Sequence, residues 1–334
     1  MHPKTYYNTI LSQCYSPCGN YLVVGDIYGH ISVFNLQNII NPKENTVTPT
    51  SGVTANDRKP NNTFPVQEDI QINCLLTTTN YLLVGSLGEI AGYNWTSVIK
   101  KSDVQPTWKI ELPNPSETFE RIEINCMIFN EEKGILHAGC SDNKIYAISI
   151  ETGKILHTLN KHTDYIHSIV NQGNNLISGG EDGFVNIWDL RSKEVVHSLE
   201  PHQNSKLQRP EIGKWIGAVA INDDWLLCGG GPRLSLWHYR SLNLSNVYPI
   251  EDRGIHVGHF YGDKVFAGGR CPNFYQMSLN GDIVSVIKTS SVSIYSAVFQ
   301  TEPHKAMCLS GSSPNIDICS NFNYKDQVLV LDYE

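Results

Sequence analysis

The chain has 334 residues, with 33 acidic and 25 basic side chains and a formal net charge of −8 at pH 7. This balance weighs against direct nucleic-acid binding, because contacts to phosphates need a positive surface. No apolar run approaches the roughly 18 residues of a membrane-spanning helix, and residues 1–21 lack the pattern of a signal peptide, so we expect an intracellular protein without a membrane partner.

Seven segments along the chain follow one pattern: a hydrophobic strand that ends at a glycine, a tight turn, and a second strand with a large side chain. The strand-ending glycines are Gly25, Gly85, Gly139, Gly179, Gly229, Gly268 and Gly311. The large side chains that follow them are Phe34, Tyr93, Tyr146, Trp188, Trp237, Tyr275 and Ile318. Each segment predicts one small sheet, which cannot bury both of its faces by itself.

Three polar stretches interrupt this spacing. Residues 38–63 are rich in Asn, Thr, Pro and Lys and predict a mobile surface loop. Residues 100–120 form the second stretch, in which Trp108 and Ile110 predict an outer strand, and residues 201–213 form the third. Because loops carry recognition more often than packed strands do, we expect such stretches to bind partners.

The third and fourth segments repeat each other at a distance of 40 residues. Gly139, Asp142, Ile145, His157, Leu159 and His162 recur as Gly179, Asp182, Val185, His197, Leu199 and His202. A period of about 40 residues is typical of the four-stranded blades of WD40 proteins. We therefore predict an all-β fold, a seven-bladed WD40-type β-propeller that forms a single domain over residues 1–334.

The last outer strand has two possible sources. Residues 328–332 predict a strand at the end of the chain, and an exchange with the N-terminal segment near Tyr6 is the alternative.

In the fourth segment, four side chains occupy the positions that commonly form a buried hydrogen-bonded network in WD repeats. They are His162, Ser178, Asp182 and Trp188. A His, an Asp and a Ser also suggest a hydrolase triad, but no Gly-x-Ser-x-Gly motif presents a nucleophile. Because a satisfied buried network mainly stiffens a fold, we interpret these residues as structural and predict no catalytic residue.

Metal and cofactor chemistry find little support in the sequence. Cys14 and Cys18 lack a second Cys or His pair at a matching spacing, and His256 and His259 are predicted to point to opposite faces of a strand. The glycine run that begins at Gly229 lacks the Lys-Ser/Thr of a phosphate loop and predicts a tight turn. We expect no metal, no cofactor and no small-molecule substrate.

Arginine and tryptophan in loops are the side chains most often found as interface anchors. The candidate partner-binding residues on this reasoning are Arg191, Arg209, Trp215, Arg233, Arg240 and Arg253. The alternative is that Trp215 packs between blades and that the arginines are solvated.

Several short segments carry a resemblance to a known family. They are Ser16-Pro17-Cys18-Gly19 with Tyr28-Gly29-His30-Ile31, residues 162–167, residues 178–183 with 188–191, and Trp215-Ile216-Gly217 with Asp224-Trp225. The most distinctive runs from Cys228 to Ser241 and includes a Cys-Gly-Gly-Gly-Pro turn and a Trp-His pair. In these segments the chain resembles the THO complex subunit 6 family of WD-repeat proteins, although the second predicted blade departs from the pattern.

This resemblance implies a non-enzymatic scaffold subunit of the THO/TREX assembly in the nucleus, which couples transcription and mRNA processing to mRNA export. It also implies partners among the other THO complex subunits, especially the coiled-coil subunits 5 and 7. Contact with RNA is then indirect, through the complex.

An alternative function rests on Trp188-Asp189-Leu190-Arg191, which looks like the box of WD-repeat substrate receptors of cullin-4 ubiquitin ligases. The box overlaps an ordinary repeat ending, so it does not distinguish this function from a general WD repeat.

Overall fold

The structure, a computed structural model, describes residues 7–40, 53–100, 103–113, 121–251 and 253–332. Within these residues, seven four-stranded antiparallel sheets each follow chain order from the first strand to the fourth. They are the blades of a seven-bladed β-propeller, which confirms the predicted fold class. We number the blades one to seven along the chain.

The strands are bounded as follows. Blade one has β1 (Ile10–Tyr15), β2 (Tyr21–Asp26), β3 (His30–Asn35) and β4 (Asn62–Pro65). Blade two has β5 (Cys74–Thr77), β6 (Tyr81–Gly85), β7 (Glu89–Asn94) and β8 (Trp108–Glu111). Blade three has β9 (Ile124–Asn130), β10 (Ile135–Cys140), β11 (Lys144–Ser149) and β12 (Ile155–Asn160). Blade four has β13 (Ile166–Gln172), β14 (Asn175–Gly180), β15 (Val185–Asp189) and β16 (Glu194–Leu199). Blade five has β17 (Ile216–Ile221), β18 (Trp225–Gly230), β19 (Ser235–His238) and β20 (Asn243–Val247). Blade six has β21 (Ile255–Tyr261), β22 (Lys264–Gly269), β23 (Asn273–Ser278) and β24 (Ile283–Lys288). Blade seven has β25 (Ile294–Gln300), β26 (Ala306–Gly311), β27 (Ser313–Cys319) and β28 (Gln327–Val330).

Helical structure in the described residues is short. It comprises α1 (Gln37–Ile40), α2 (Trp95–Ile99) and two 3₁₀ turns, Asn56–Arg58 and Pro201–Gln203. None of the helices in this part of the chain has the length and apolar character needed to cross a lipid bilayer.

Contacts within the chain group it into two compact units. The first takes its described residues from Met1–Ser86, Ile90–Lys109 and Lys288–Glu334, and it holds blades one and seven and most of blade two. The second takes Leu87–Glu89 and Ile110–Ile287 and holds nearly all of blades three to six. That residues 1–334 form a single domain stays a prediction.

The second strand of a blade is buried on both faces. In β2, Leu22, Val23 and Val24 are at most 1% exposed. Val23 belongs to an apolar cluster with blade two, whereas Leu22 and Val24 belong to one with blade seven. Successive side chains of a strand point to opposite faces, so a strand between two neighbours has a continuous apolar sequence instead of an alternating one.

The glycine near the end of the second strand makes room for the next blade. A Cβ atom on Gly139 would lie 2.8 Å from Cγ2 of Ile166, and one on Gly179 would lie 2.6 Å from Cγ2 of Ile216. Each isoleucine begins the inner strand of the following blade. In these blades the glycine therefore serves close packing between sheets.

Two predictions on outer strands are confirmed. β8 contains Trp108 and Ile110, and β28 pairs with β27, so the end of the chain supplies the outer strand of blade seven. The predicted loop at 38–63 is regular at its described ends, because α1 covers its first residues and β4 includes Asn62 and Thr63. Residues 41–52 lie outside the described residues, and the mobility of the loop stays a prediction.

Candidate interaction surfaces

Blade four contains a buried hydrogen-bonded network, which we call the closed network. His162 Nδ1 lies 2.8 Å from Asp182 Oδ2, and His162 Nε2 lies 2.7 Å from Ser178 Oγ. Trp188 Nε1 donates to the same Ser178 Oγ at 2.8 Å. The structure thus brings together the four residues that the WD pattern relates, and none of them is more than 3% exposed.

The carboxylate of Asp182 is held in its ionised form. Burial raises its pKa, but the hydrogen bond and charge of His162 and the backbone N–H groups of Thr163 and Phe184 outweigh this, so the pKa lies below its usual value. The ionised Asp182 carboxylate accepts a hydrogen bond from the N–H at His162 Nδ1. His162 Nε2 then has no proton and accepts a hydrogen bond from the Ser178 hydroxyl.

This order of Ser, His and Asp resembles a hydrolase triad, but the serine cannot meet a substrate in this conformation. Ser178 has no exposed surface, and its oxygen already receives the Trp188 N–H. The geometry is that of a satisfied structural network.

Sequence reasoning missed a fifth member of the closed network. Asn186 is 1% exposed, and its Nδ2 lies 3.2 Å from His162 Nε2. Ser198 of the neighbouring strand donates to Asn186 Oδ1 at 2.6 Å. The only sequence signal for it is a polar residue between two apolar ones in β15.

The described residues contain no cluster of three or more His, Cys, Asp or Glu side chains placed to hold a metal ion. Burial raises the pKa of the Cys14 thiol to about 12, against a smaller opposing effect of Thr77. Since zinc binds the thiolate, this environment disfavours the thiol as a ligand.

The candidate partner-binding residues, all in the second unit, separate by strand topology. In an antiparallel sheet, the turn between the second and third strands lies at the same end of the strands as the link to the next blade. We call this end of the blades the linker edge. The opposite end, with the turns between third and fourth strands, is the outer-turn edge. Trp215, Arg209, Arg233 and Arg253 belong to the linker edge; Arg191 and Arg240 belong to the outer-turn edge.

Arg191 is exposed but paired within its own turn. Its side chain is 73% exposed, and Nη2 lies 2.7 Å from Asp189 Oδ2. Nε donates to Asp189 Oδ1 at 3.0 Å. These hydrogen bonds, with that of the Arg191 backbone N–H, lower the pKa of Asp189 to about 2. Arg191, the last residue of the predicted ubiquitin-ligase box, is therefore paired with Asp189, the second residue of that box.

The prediction for Arg209 requires correction. Arg209 is only 6% exposed, and its guanidinium donates to three backbone carbonyls, those of Gly230, Gly231 and Pro232. The Gly-Gly-Gly-Pro turn exposes carbonyls without side chains that would cover them, and Arg209 satisfies these acceptors. Its position in a polar stretch suggested a surface anchor, but the residue holds a turn in place.

Trp215 is half-buried and forms an aromatic cluster on the linker edge. Its indole stacks on His256 with ring centres 5.1 Å apart and planes 23° apart, and it lies edge-on to His167 at 6.4 Å. The Arg270 guanidinium carbon lies 5.8 Å from the indole centre. His167 Nε2 contacts Glu181 Oε2 at 2.8 Å. We call these five residues the Trp215 cluster.

Sequence reasoning missed His167, His256 and Arg270. Both histidines follow an isoleucine at the start of an inner strand, and in both strands the register with the second strand shifts at that point. A β-bulge of this kind re-aims a side chain. The repeated Ile-His pair in Ile166-His167 and Ile255-His256 is the signal that could have identified them.

The chain is similar to several known proteins. A family model described as nucleolar protein 10-like, N-terminal domain, matches residues 109–229. The chain is 36% identical to THO complex subunit 6 of Drosophila melanogaster over 98% of this chain and 91% of that protein. It is 32% identical to THO complex subunit 6 of Homo sapiens over 95% and 91%, and 25% identical to THO complex subunit 6 of Arabidopsis thaliana over 72% and 68%. None of these three relatives has a name that refers to a ubiquitin ligase, and the cullin-4 alternative is not supported. With identity above 30% along almost the whole sequence, the chain belongs to the THO complex subunit 6 family.

Proposed function

We propose that this protein is a non-enzymatic scaffold subunit of the THO complex in the nucleus, where it supports assembly of the complex and the coupling of transcription and mRNA processing to mRNA export. The observation that carries the proposal is 36% identity to THO complex subunit 6 of Drosophila melanogaster over 98% of this chain.

The proposed partners are other THO complex subunits, in particular the coiled-coil subunits 5 and 7. RNA is then contacted indirectly, through the complex. The net charge of −8 supports this, because an acidic protein attracts a phosphate backbone poorly.

A scaffold role agrees with the only triad-like geometry that the sequence suggested. Ser178 is fully buried in the closed network, so it supports folding and offers no accessible nucleophile.

Five of the candidate partner-binding residues remain part of the proposal. Arg191 and Arg240 are exposed on the outer-turn edge, and Arg233 and Arg253 are exposed on the linker edge, to which the half-buried Trp215 also belongs. Arg209 is left out because its guanidinium already donates hydrogen bonds to backbone carbonyls of this chain. Arginine on an open edge can bind carboxylates of a charged helix in bidentate geometry.

The test is a pull-down of the tagged full chain from nuclear extract, with and without nuclease, followed by mass spectrometry. We expect THO complex subunits, including 5 and 7, to remain bound after nuclease treatment. Recovery that depends on intact RNA, or recovery of a cullin-4 adaptor in place of THO subunits, would contradict the proposal.

Two charge-reversed variants test the surfaces separately. Arg191→Glu with Arg240→Glu alters the outer-turn edge, and Arg233→Glu with Arg253→Glu alters the linker edge. We expect at least one pair to reduce recovery of the THO subunits while the melting temperature is unchanged. Full recovery with both pairs would remove these arginines from the interface without removing THO membership.

A further inference from the structure

Three arginines of the second unit lie in turns or links on the linker edge. Arg233 ends the β18–β19 turn, Arg253 precedes β21, and Arg270 begins the β22–β23 turn. Backbone hydrogen bonds tie these turns to the links between blades, because Arg233 N donates to Leu207 O and Arg270 N donates to Gly254 O, both at 2.9 Å. We call Arg233, Arg253 and Arg270 the arginine edge.

The side chains of the arginine edge are exposed, and among the described residues none of the three guanidinium groups has a hydrogen bond or an ion pair with the protein. Arg191 and Arg209 differ, since one is paired with Asp189 and the other with three carbonyls. A guanidinium presents its donors in a planar fork that matches a carboxylate. The arginine edge therefore offers unused donors of that geometry.

The Trp215 cluster supplies a fixed apolar surface on the same edge, and Arg270 belongs to both groups. Trp215 Nε1 donates to Ile212 O at 3.3 Å, which orients the indole. A Cβ atom on Gly217 or on Gly254 would lie 2.6 Å from an indole carbon. The backbone can approach the ring closely only because both positions are glycine, so the ring is held by its surroundings before any ligand binds.

The charges around this surface favour an anion. Burial lowers the pKa of His256 to about 4, with the charge of Arg270 and the neighbouring His167 as further causes. The neighbouring Glu181 is engaged with His167, while Glu211 and Glu251 are exposed on the links of the same edge. The three arginines are thus the groups that would attract an anion to this surface, within a chain that is acidic as a whole.

We infer that the arginine edge and the Trp215 cluster together bind a short acidic peptide segment of a partner protein, whose carboxylates pair with Arg233, Arg253 and Arg270 and which packs an apolar side chain against Trp215. This site does not depend on membership of the THO complex. A short peptide fits better than RNA because it can place carboxylates at the arginines and uncharged residues opposite Glu211 and Glu251, whereas a phosphate backbone carries a negative charge at every nucleotide.

The test is fluorescence anisotropy with the purified full chain and three labelled probes: a Glu-rich peptide with a central Leu, the same peptide with Gln in place of every Glu, and oligouridine. We expect the Glu peptide to bind and the Gln peptide to bind at least about tenfold more weakly, since each lost charged hydrogen bond costs about that factor. Binding of the Glu peptide should weaken as salt increases.

Variants locate the binding site. Replacing Arg233, Arg253 and Arg270 together by Ala should abolish binding of the Glu peptide, whereas the matched control Lys154→Ala with Lys193→Ala, on the outer-turn edge, should leave it unchanged. All five residues are exposed, so each variant is expected to keep the wild-type melting temperature. Trp215→Phe keeps an aromatic ring in the Trp215 cluster and should weaken binding by a smaller factor than the triple variant.

Three results would overturn the inference. They are absence of binding to the Glu peptide, equal affinity for the Glu and Gln peptides, and equal loss of affinity in the control and triple variants. Tight binding of oligouridine that is lost in the triple variant would assign the surface to RNA instead.

Discussion

The closed network and the Trp215 cluster use the same kinds of side chain for different ends. Each combines a histidine, a carboxylate and a tryptophan, and their acidic residues, Asp182 and Glu181, are neighbours in the chain. In the closed network each named member is buried and has a partner inside the blade. The Trp215 cluster is half-exposed and leads to guanidinium groups without protein acceptors. Burial, more than residue type, therefore separates a structural network from a surface that can bind a partner.

The largest expected effect is on the closed network. Asp182→Asn removes the carboxylate that accepts hydrogen bonds from His162 and from two backbone N–H groups. The NH2 group of the new amide would then face one of these N–H donors. We expect the free energy of unfolding to fall by about 3 kcal/mol, as when one partner of a buried pair is removed. Urea unfolding followed by circular dichroism measures this. A loss below about 1 kcal/mol would mean that the network contributes little to stability.

The next effect concerns Arg209, the arginine that lies inside the fold. Arg209→Ala removes the guanidinium that donates to three carbonyls of the glycine turn, of which Pro232 O still accepts from Gly230 N, and we expect a loss of about 2 kcal/mol. Arg209→Lys should recover only part of it, because a compact ammonium cannot span three acceptors as a planar fork does. The matched control is the exposed Arg240→Ala, with a change within about 0.5 kcal/mol. Equal losses for Arg209→Ala and Arg240→Ala would show that burial of Arg209 does not matter.

Acid should affect the two regions in different pH ranges. His256 has its pKa lowered to about 4, whereas histidine in an unfolded chain titrates near 6.5. Between these values the unfolded state binds more protons, so stability decreases as the pH falls from about 6.5 to about 4. The lowered pKa of Asp182 acts in the same direction but in a lower pH range: its contribution is present above the unfolded value near 3.9 and is lost only below it.

Thermal melting from pH 7 to pH 4 tests this order. Burial also lowers the pKa of His137 to about 4, so His256→Gln should remove only part of the decrease. A melting temperature that is constant over this range would contradict the depressed histidine pKa values.

The smallest effect is expected for the exposed member of the comparison. Glu181→Gln makes the same chemical change as Asp182→Asn one residue earlier, but its carboxylate is 44% exposed and pairs with a partly exposed His167. Ion pairs of this kind contribute little, and we expect a change below about 0.5 kcal/mol by the same urea titration. A loss as large as that of Asp182→Asn would remove the distinction between the two regions.

Much of the fold could be predicted because its signals are local and repeated. The WD-repeat pattern related His162, Ser178, Asp182 and Trp188 before any contact was known, and the strand-ending glycines marked the blades. The candidate interaction surfaces were harder to predict from the sequence. Arg209 and Arg233 both follow polar or turn residues, yet one is buried and the other exposed, because only Arg209 reaches the carbonyls of a turn that lies 21 to 23 residues away.

The blade pattern can be read from the sequence alone, since each blade forms from consecutive strands joined by short turns whose glycines and apolar runs can be recognised locally. Which side chains meet across blades depends on the tertiary structure. His167 comes from blade four, His256 and Arg270 come from blade six, and Trp215 lies in the link between blades four and five. β-Bulges and close glycine contacts turn them toward one another. Such contacts depend on how sheets stack, and stacking is set by packing between distant parts of the chain, which the spacing within a repeat does not encode.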